Sequence, residues 1–146
     1  MKQRKTAFSG RAFLILTIAL LLFIWGQSLL PVKNSAAESG WLRETILNPL
    51  LAIFGLGPLS DHFVRKAAHI TEFFFFGLSA AFLWRGRFAL TLLTAFVTAF
   101  LDETIQIFSG RGSRIKDVWI DLIGAAAGSF LGWLIFKLKN KKEQKK

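Results

Sequence analysis

The chain has 146 residues, of which 53% are hydrophobic, and it contains 16 Phe and 5 Trp; its mean hydropathy is +0.45. This composition is too apolar for an ordinary soluble protein and the chain is short, so we expect a single all-α integral membrane domain over residues 1–146. The sequence has no cysteine, which excludes disulfides and thiolate-based sites.

Four apolar segments have about the 20 residues that a helix needs to cross a ~30 Å hydrocarbon core. We predict a bundle of four transmembrane helices over residues 12–30, 67–84, 88–108 and 118–136. The first segment follows a basic N-terminus, as a secretory signal does, but its apolar stretch exceeds the ~7–15 residues of such a signal. We therefore interpret it as a retained helix.

The connection between the first two predicted spans contains an amphipathic segment. From Trp41 to Phe54 the apolar residues fall mostly on one side of a helix, which predicts an interfacial helix on the outer face of the membrane. The Asn48-Pro49 pair predicts a kink or a division of this helix. From its position alone, we hypothesise that the segment covers the polar residues described below.

The net charge of +10 is unevenly distributed along the chain. The N-terminus, the loop at residues 85–87 and the tail at residues 137–146 hold 12 of the 19 Lys and Arg and a single acid, whereas the remaining connections hold 7. Basic loops face the cytoplasm, so we expect a multi-pass protein of the cytoplasmic membrane with both termini in the cytoplasm. Topology thus accounts for the charge, and we expect no nucleic-acid partner.

Five ionisable residues lie in or at the edge of the predicted spans: His69, Glu72, Asp102, Glu103 and Asp121. Ionisable groups at this depth are costly, and they usually pair, line a cavity or take part in chemistry. At about 1.5 Å per helical residue, all five lie within roughly 10 Å of the outer boundary. We therefore expect them to share one polar layer near the outer ends of the spans.

Helical spacing predicts that these polar residues face inward. Arg65, His69 and Glu72 follow an i, i+4, i+7 pattern, which puts them on one face of the second span. The third and fourth spans carry similar stripes, at Thr91, Thr94, Thr98, Asp102 and Gln106 and at Asp117, Asp121, Gly124 and Gly128. A helix in lipid turns such a stripe toward its neighbours or toward a water-filled cavity.

The last predicted span repeats glycine at every fourth position, at Gly124, Gly128 and Gly132. Small residues at this spacing permit close approach of two helices. We favour packing inside a single bundle over dimerisation as the role of this stripe.

Two motifs in the polar layer resemble those of the VanZ-like family of membrane proteins. The stretch 65–73, followed by Gly77, resembles the family pattern RK-x-x-H-x-x-E-[YF]. The stretch 102–108, followed by Arg111 and Asp117, resembles the pattern DE-x-x-Q-x-F…R…D. The resemblance covers about residues 64–132, and Asp121 departs from it, because the family commonly has Asn at this position.

The resemblance implies a bacterial protein of the cell envelope. The namesake of the family is associated with resistance to teicoplanin-type glycopeptide antibiotics. The implied partners are the lipid bilayer and an amphiphilic envelope ligand or lipid-linked wall precursor, and the resemblance leaves the cofactor unknown.

Three hypotheses for the polar layer follow. In the first, it is a site that binds or modulates an envelope ligand, formed by Arg65, His69, Glu72, Asp102, Glu103, Gln106, Arg111, Asp117 and Asp121. In the second, it is catalytic, with His69 as a base or ligand and Glu72, Asp102 and Glu103 as carboxylates for acid–base work. In the third, internal ion pairs with the neighbouring Lys and Arg fix the register of the helices.

The same residues raise the question of a metal. A mixed set of histidine and carboxylates is suited to Zn²⁺ or Mn²⁺. The sequence lacks a short signature such as H-E-x-x-H, so from sequence alone we assign no metal ligands.

Overall fold

The computed structural model describes residues 4–30, 37, 39–110 and 114–143, and the regular elements of these ranges are all helical. The helices are α1 (Arg4–Leu29), α2 (Asn48–Ile53), α3 (Asp61–Leu83), α4 (Phe88–Phe108) and α5 (Ile115–Glu143). A π-helical turn, Arg43–Leu47, precedes α2. The predicted all-α class is confirmed.

The four long helices alternate in direction. Thr17 in α1 contacts Ser79 near the end of α3, with their hydroxyl oxygens 2.8 Å apart, so these two helices are antiparallel. Ser28 at the end of α1 reaches Asp102 in the second half of α4, so these two run the same way. The ends of α1 and α4 and the starts of α3 and α5 therefore meet at one end of the bundle, which we call the polar end.

The centre of the bundle is a small apolar core to which all four long helices contribute. Phe73 and Phe76 of α3 are fully buried there, with their rings in edge-to-face contact at 6.3 Å between centroids. The rest of the buried cluster consists of Ile24, Ala95, Ala99, Val118 and Ala125. Because three of these residues are alanines, the two phenyl rings supply much of the volume of the core.

The closest contact in the bundle joins α3 to α5. The glycines of α5 face the backbone of α3, and a Cβ atom added to any of them would collide with it or with side-chain atoms of α3. The opposed pairs include Gly124 with Ile70, Gly128 with Phe74, and, in the reverse sense, Gly77 with Ala125. The glycine stripe thus packs within the chain, as the sequence predicts.

In the part of the chain that the structure describes, three helical stretches are long and apolar enough to cross a membrane: Gly10–Leu29, Phe88–Phe108 and Ile115–Lys139. The chain is therefore a multi-pass membrane protein, but the prediction of four such spans is wrong in number. The segment predicted at residues 67–84 is helical and lies in α3. This helix is less apolar than the three spans because Lys66, His69 and Glu72 lower the hydropathy of its middle part. The part that follows Glu72 is largely buried in the bundle.

The predicted amphipathic segment is helical and is divided where the sequence indicates. Pro49 stands in the first turn of α2, directly after the π-helical turn. The side-chain oxygen of Asn48 accepts a hydrogen bond from the backbone N–H of Leu59, 3.1 Å away. The apolar residues of this segment are exposed, among them Trp41, Ile46, Leu50, Ile53 and Phe54. None of them is among the residues that line the cavity described below, so the hypothesis of a cover finds no support there.

Candidate functional site

A cavity of about 270 Å³ opens at the polar end between α3, α4 and α5. Apart from Ile120, the side chains of its wall are polar or charged, and both signs of charge are represented. The lining consists of His62, Arg65, Lys66, His69, Glu103, Gln106, Arg114, Asp117, Ile120 and Asp121.

Two ion pairs join α3 to α5 along one wall of the cavity. Nζ of Lys66 lies 3.5 Å from Oδ1 of Asp117, and one turn deeper Nδ1 of His69 lies 3.4 Å from Oδ1 of Asp121. The two helices run in the same direction here, so residues three or four positions apart on each helix meet in successive turns. The helical spacing in the sequence therefore places a basic side chain of α3 opposite a carboxylate of α5 in two successive turns.

Asp102 on α4 is completely buried but well supplied with donors. The hydroxyl of Ser28 donates to one of its carboxylate oxygens at 2.6 Å, and the amide of Gln106 donates to the other at 2.8 Å. The same amide also donates to Glu103, at 3.1 Å. Hydrogen bonds to a charged group contribute about 1.5–3 kcal/mol each, which offsets part of the cost of burying this carboxylate.

Asp121 on α5 is equally buried, with 1% of its side chain exposed, but its surroundings differ. Neither of its carboxylate oxygens accepts a hydrogen bond from the described residues, and Nδ1 of His69 likewise has no hydrogen-bond partner there. The 3.4 Å separation of these two groups is an ion-pair distance without hydrogen-bond geometry. One ligand atom from each of His69, Asp102 and Asp121 can be chosen so that all three lie within 4.8 Å of one another.

The sequence-predicted site residues divide into three groups. Those that line the cavity are Arg65, His69, Glu103, Gln106, Asp117 and Asp121. Asp102 lies behind this wall, and Glu72 is not part of the lining, although it is close enough to His69 for an electrostatic interaction. Arg111, one of the two expected counter-charges, lies outside the described residues.

Two contributors to the site were not singled out from the sequence. Ser28, the donor to Asp102, ends an apolar helix, and a polar residue at that depth is a usable signal. His62 lines the cavity, and it stands four residues before Lys66 and seven before His69, on the same helical face.

The profile of the VanZ/LLP1 family matches residues 13–137 of the chain. The chain belongs to the VanZ/LLP1 family. This confirms the resemblance carried by the two motifs, and the matched range contains every residue that lines the cavity.

A comparison with curated proteins finds the "Uncharacterized membrane protein YwnJ" of Bacillus subtilis (strain 168), which is 32% identical to this VanZ/LLP1 protein over 85 residues. The similarity spans 57% of the chain and 57% of that relative, little more than half of its length. No solved structure matches the chain.

Proposed function

We propose that this VanZ/LLP1 protein binds the polar head of an amphiphilic envelope molecule, such as a lipid-linked wall precursor, in the cavity at the polar end. By doing so it changes how the bacterium responds to teicoplanin-type glycopeptides. The observation that carries the proposal is the cavity itself, a concave pocket with charges of both signs on its walls.

The size of the cavity bears on what it can hold. Pockets for drug-sized ligands have volumes of about 300–1,000 Å³. At about 270 Å³ this cavity suits part of a head group, such as a phosphate or one sugar, and is too small for an intact glycopeptide or for the whole head of a wall precursor. We therefore propose an envelope lipid as the ligand, with the antibiotic affected indirectly.

The pairing of the polar groups favours binding over a purely structural network. Buried polar groups that only stabilise a fold are normally hydrogen-bonded, because an unsatisfied one costs about 1–3 kcal/mol. The Ser28–Asp102 contact follows this rule. Asp121, on the cavity wall, is an exception to this rule, because its carboxylate accepts no hydrogen bond from the described residues.

The proposal includes an orientation in the bacterial cytoplasmic membrane, with the polar end outside and both termini in the cytoplasm. The excess of 12 over 7 basic residues supports it. The alternating directions of α1, α3, α4 and α5 also support it, since they bring the start of α1 and the end of α5 to the same end of the bundle. In this orientation α3 passes through the bilayer packed against the three apolar spans.

Reporter fusions test this orientation. A reporter fused after residue 86 should read cytoplasmic, and one fused after residue 112 should read external. The opposite pattern would put the cavity on the cytoplasmic side and would refute the proposed access from the outer face.

Complementation of a deletion strain tests the function. The deletion should sensitise cells to teicoplanin more than to vancomycin, because a lipid tail brings the former to the membrane. The wild-type gene should restore resistance, whereas Asp102→Asn and Glu72→Gln at equal abundance should not. Truncation after Asn140 should have almost no effect.

The matched control is Asp61→Asn. It makes the same change of acid to amide, but on a half-exposed residue that pairs with Arg43 outside the cavity. This variant should complement fully. If the two site variants complement fully and the tail truncation does not, the function lies at the other end of the molecule.

Catalysis on the same ligand is the second candidate, and the approach of His69 to Asp121 favours it. A histidine beside a buried carboxylate is a common arrangement for proton transfer. The two functions differ in their tolerance of conservative change. A binding site should lose function gradually over the conservative variants Arg65→Lys and Asp117→Glu, whereas a catalytic site should lose it completely in one of them at unchanged abundance.

A further inference from the structure

Three potential ligands from three different helices meet beside the cavity. His69 comes from α3, Asp102 from α4 and Asp121 from α5, and their closest set of ligand atoms lies within 4.8 Å. Because each residue is supplied by a different helix, no short motif in the sequence marks this cluster.

The surroundings of the Asp121 carboxylate are an independent indication that the cluster binds a cation. Its side chain is 99% buried, it faces the cavity, and both of its oxygens lack a hydrogen bond from the described residues. Nδ1 of His69 pairs with Asp121 as an ion pair only while the imidazole is protonated. When the imidazole is neutral and Nδ1 carries its lone pair, this nitrogen repels the carboxylate oxygen 3.4 Å away. A cation between the two atoms removes this repulsion and satisfies both.

We propose that His69, Asp102 and Asp121 bind one divalent transition-metal ion, Zn²⁺ or Mn²⁺. Two ligands of one ion with bonds of about 2.1 Å lie roughly 3.0–4.2 Å apart, and the 3.4 Å between His69 and Asp121 falls in this range. An imidazole with two carboxylates suits Zn²⁺ and Mn²⁺, whereas Mg²⁺ and Ca²⁺ prefer oxygen ligands alone.

The surroundings fit such a site. Ser28 and Gln106 donate one hydrogen bond to each oxygen of Asp102, which holds the carboxylate in place and leaves lone pairs for a metal. Three protein ligands leave at least one coordination position open. Since His69 and Asp121 line the cavity, that position is accessible to water or to a ligand.

The test measures binding of the metal alone, so its outcome is separate from that of the drug-sensitivity experiment. Full-length protein in detergent, with any affinity tag removed and metals stripped by a chelator, is titrated with Mn²⁺. Loss of the electron paramagnetic resonance signal of free Mn²⁺ gives affinity and stoichiometry, and Zn²⁺ is measured by competition. We expect one ion per chain.

The variants His69→Ala and Asp121→Asn should weaken binding by at least about 100-fold, the upper end of the effect of losing an outer-shell partner. The matched control is His62→Ala, which removes the only other histidine of the chain from the same cavity. It should bind the metal as the wild type does. Equal affinities of all three variants, or equal losses, would overturn the proposal.

Two measurements keep the proposal falsifiable if a variant fails to fold. Pulsed electron paramagnetic resonance of Mn²⁺ on the wild-type protein, labelled with ¹⁵N-histidine, should show coupling to one imidazole nitrogen. Saturating Zn²⁺ or Mn²⁺ should also raise the melting temperature of the wild type, because an ion that binds only the folded state stabilises it. Absence of imidazole coupling, or of any bound ion, would refute the site.

Discussion

Gly128→Ala tests the close packing of α3 on α5 most directly. Beyond its collision with the carbonyl oxygen of Phe74, the added Cβ atom would lie 2.8 Å from the carbonyl carbon of Phe74 and 2.9 Å from the backbone nitrogen of Leu78. Carbon atoms in ordinary contact are about 3.5–4.0 Å apart, so the two helices must separate by roughly 1 Å. No side-chain rotation can relieve the collision, because the obstructing atoms belong to the backbone.

The cost can be estimated from its two components. Overpacking costs about 1–3 kcal/mol, and a backbone obstacle puts this position at the upper end. Replacing glycine by alanine within a helix returns about 1 kcal/mol. The free energy of unfolding should therefore fall by about 2 kcal/mol, which for a chain of this size lowers the melting temperature by about 4–8 °C.

Gly26→Ala is the matched control, since a Cβ atom there meets nothing within 4 Å. It keeps only the helix-propensity gain and should raise the melting temperature by about 2–4 °C. Both variants are measured in detergent by far-UV circular dichroism at one scan rate. If Gly128→Ala leaves the melting temperature unchanged or raises it as Gly26→Ala does, the close approach of α3 and α5 is refuted.

Three further substitutions test polar contacts of very different burial. Ser28→Ala removes the 2.6 Å hydrogen bond to buried Asp102 and should lower the free energy of unfolding by about 2 kcal/mol. Thr104→Val is its control, because the Thr104 hydroxyl donates to a backbone carbonyl of its own helix, and it should change the free energy of unfolding by less than about 0.5 kcal/mol. Arg43→Ala removes the ion pairs of Arg43 with half-exposed Asp61 and with Glu44, the next residue in the chain. It should lower the free energy of unfolding by less than about 1 kcal/mol, and by less still in high salt. Equal effects of Ser28→Ala and Thr104→Val, or a loss above 2 kcal/mol for Arg43→Ala, measured by the same thermal unfolding, would contradict these assignments of burial.

Much of the architecture is readable from local patterns along the chain. Apolar length and periodicity locate the four long helices, and glycine at every fourth position indicates the helix face that allows close packing. The i, i+4, i+7 spacing from Arg65 to Glu72 likewise puts charges on one face of α3. These features are readable because each depends on residues within a few turns of one another.

The number of apolar spans was overestimated for a physical reason. In the sequence, residues 67–84 resemble the other apolar segments, but His69 of this segment and Lys66 directly before it line the cavity. Hydropathy reflects how favourably residues transfer from water to an apolar medium, and a helix that packs mostly against other helices can cross the membrane with a lower hydropathy than one that faces lipid. Only the tertiary structure shows that α3 is the helix that packs mostly against the others.

The contrast between Asp102 and Asp121 also depends on tertiary structure. In the sequence both are acids within an apolar helix, and both become fully buried. Asp102 receives its hydroxyl donor from Ser28, 74 residues away along the chain, whereas Asp121 accepts no hydrogen bond from the described residues and lies 3.4 Å from the imidazole of His69. The sequence by itself determined which helices form and which of their faces are polar. Only the assembled bundle decided which buried carboxylate receives hydrogen bonds from the described residues and which does not, because that depends on donors brought together from distant helices.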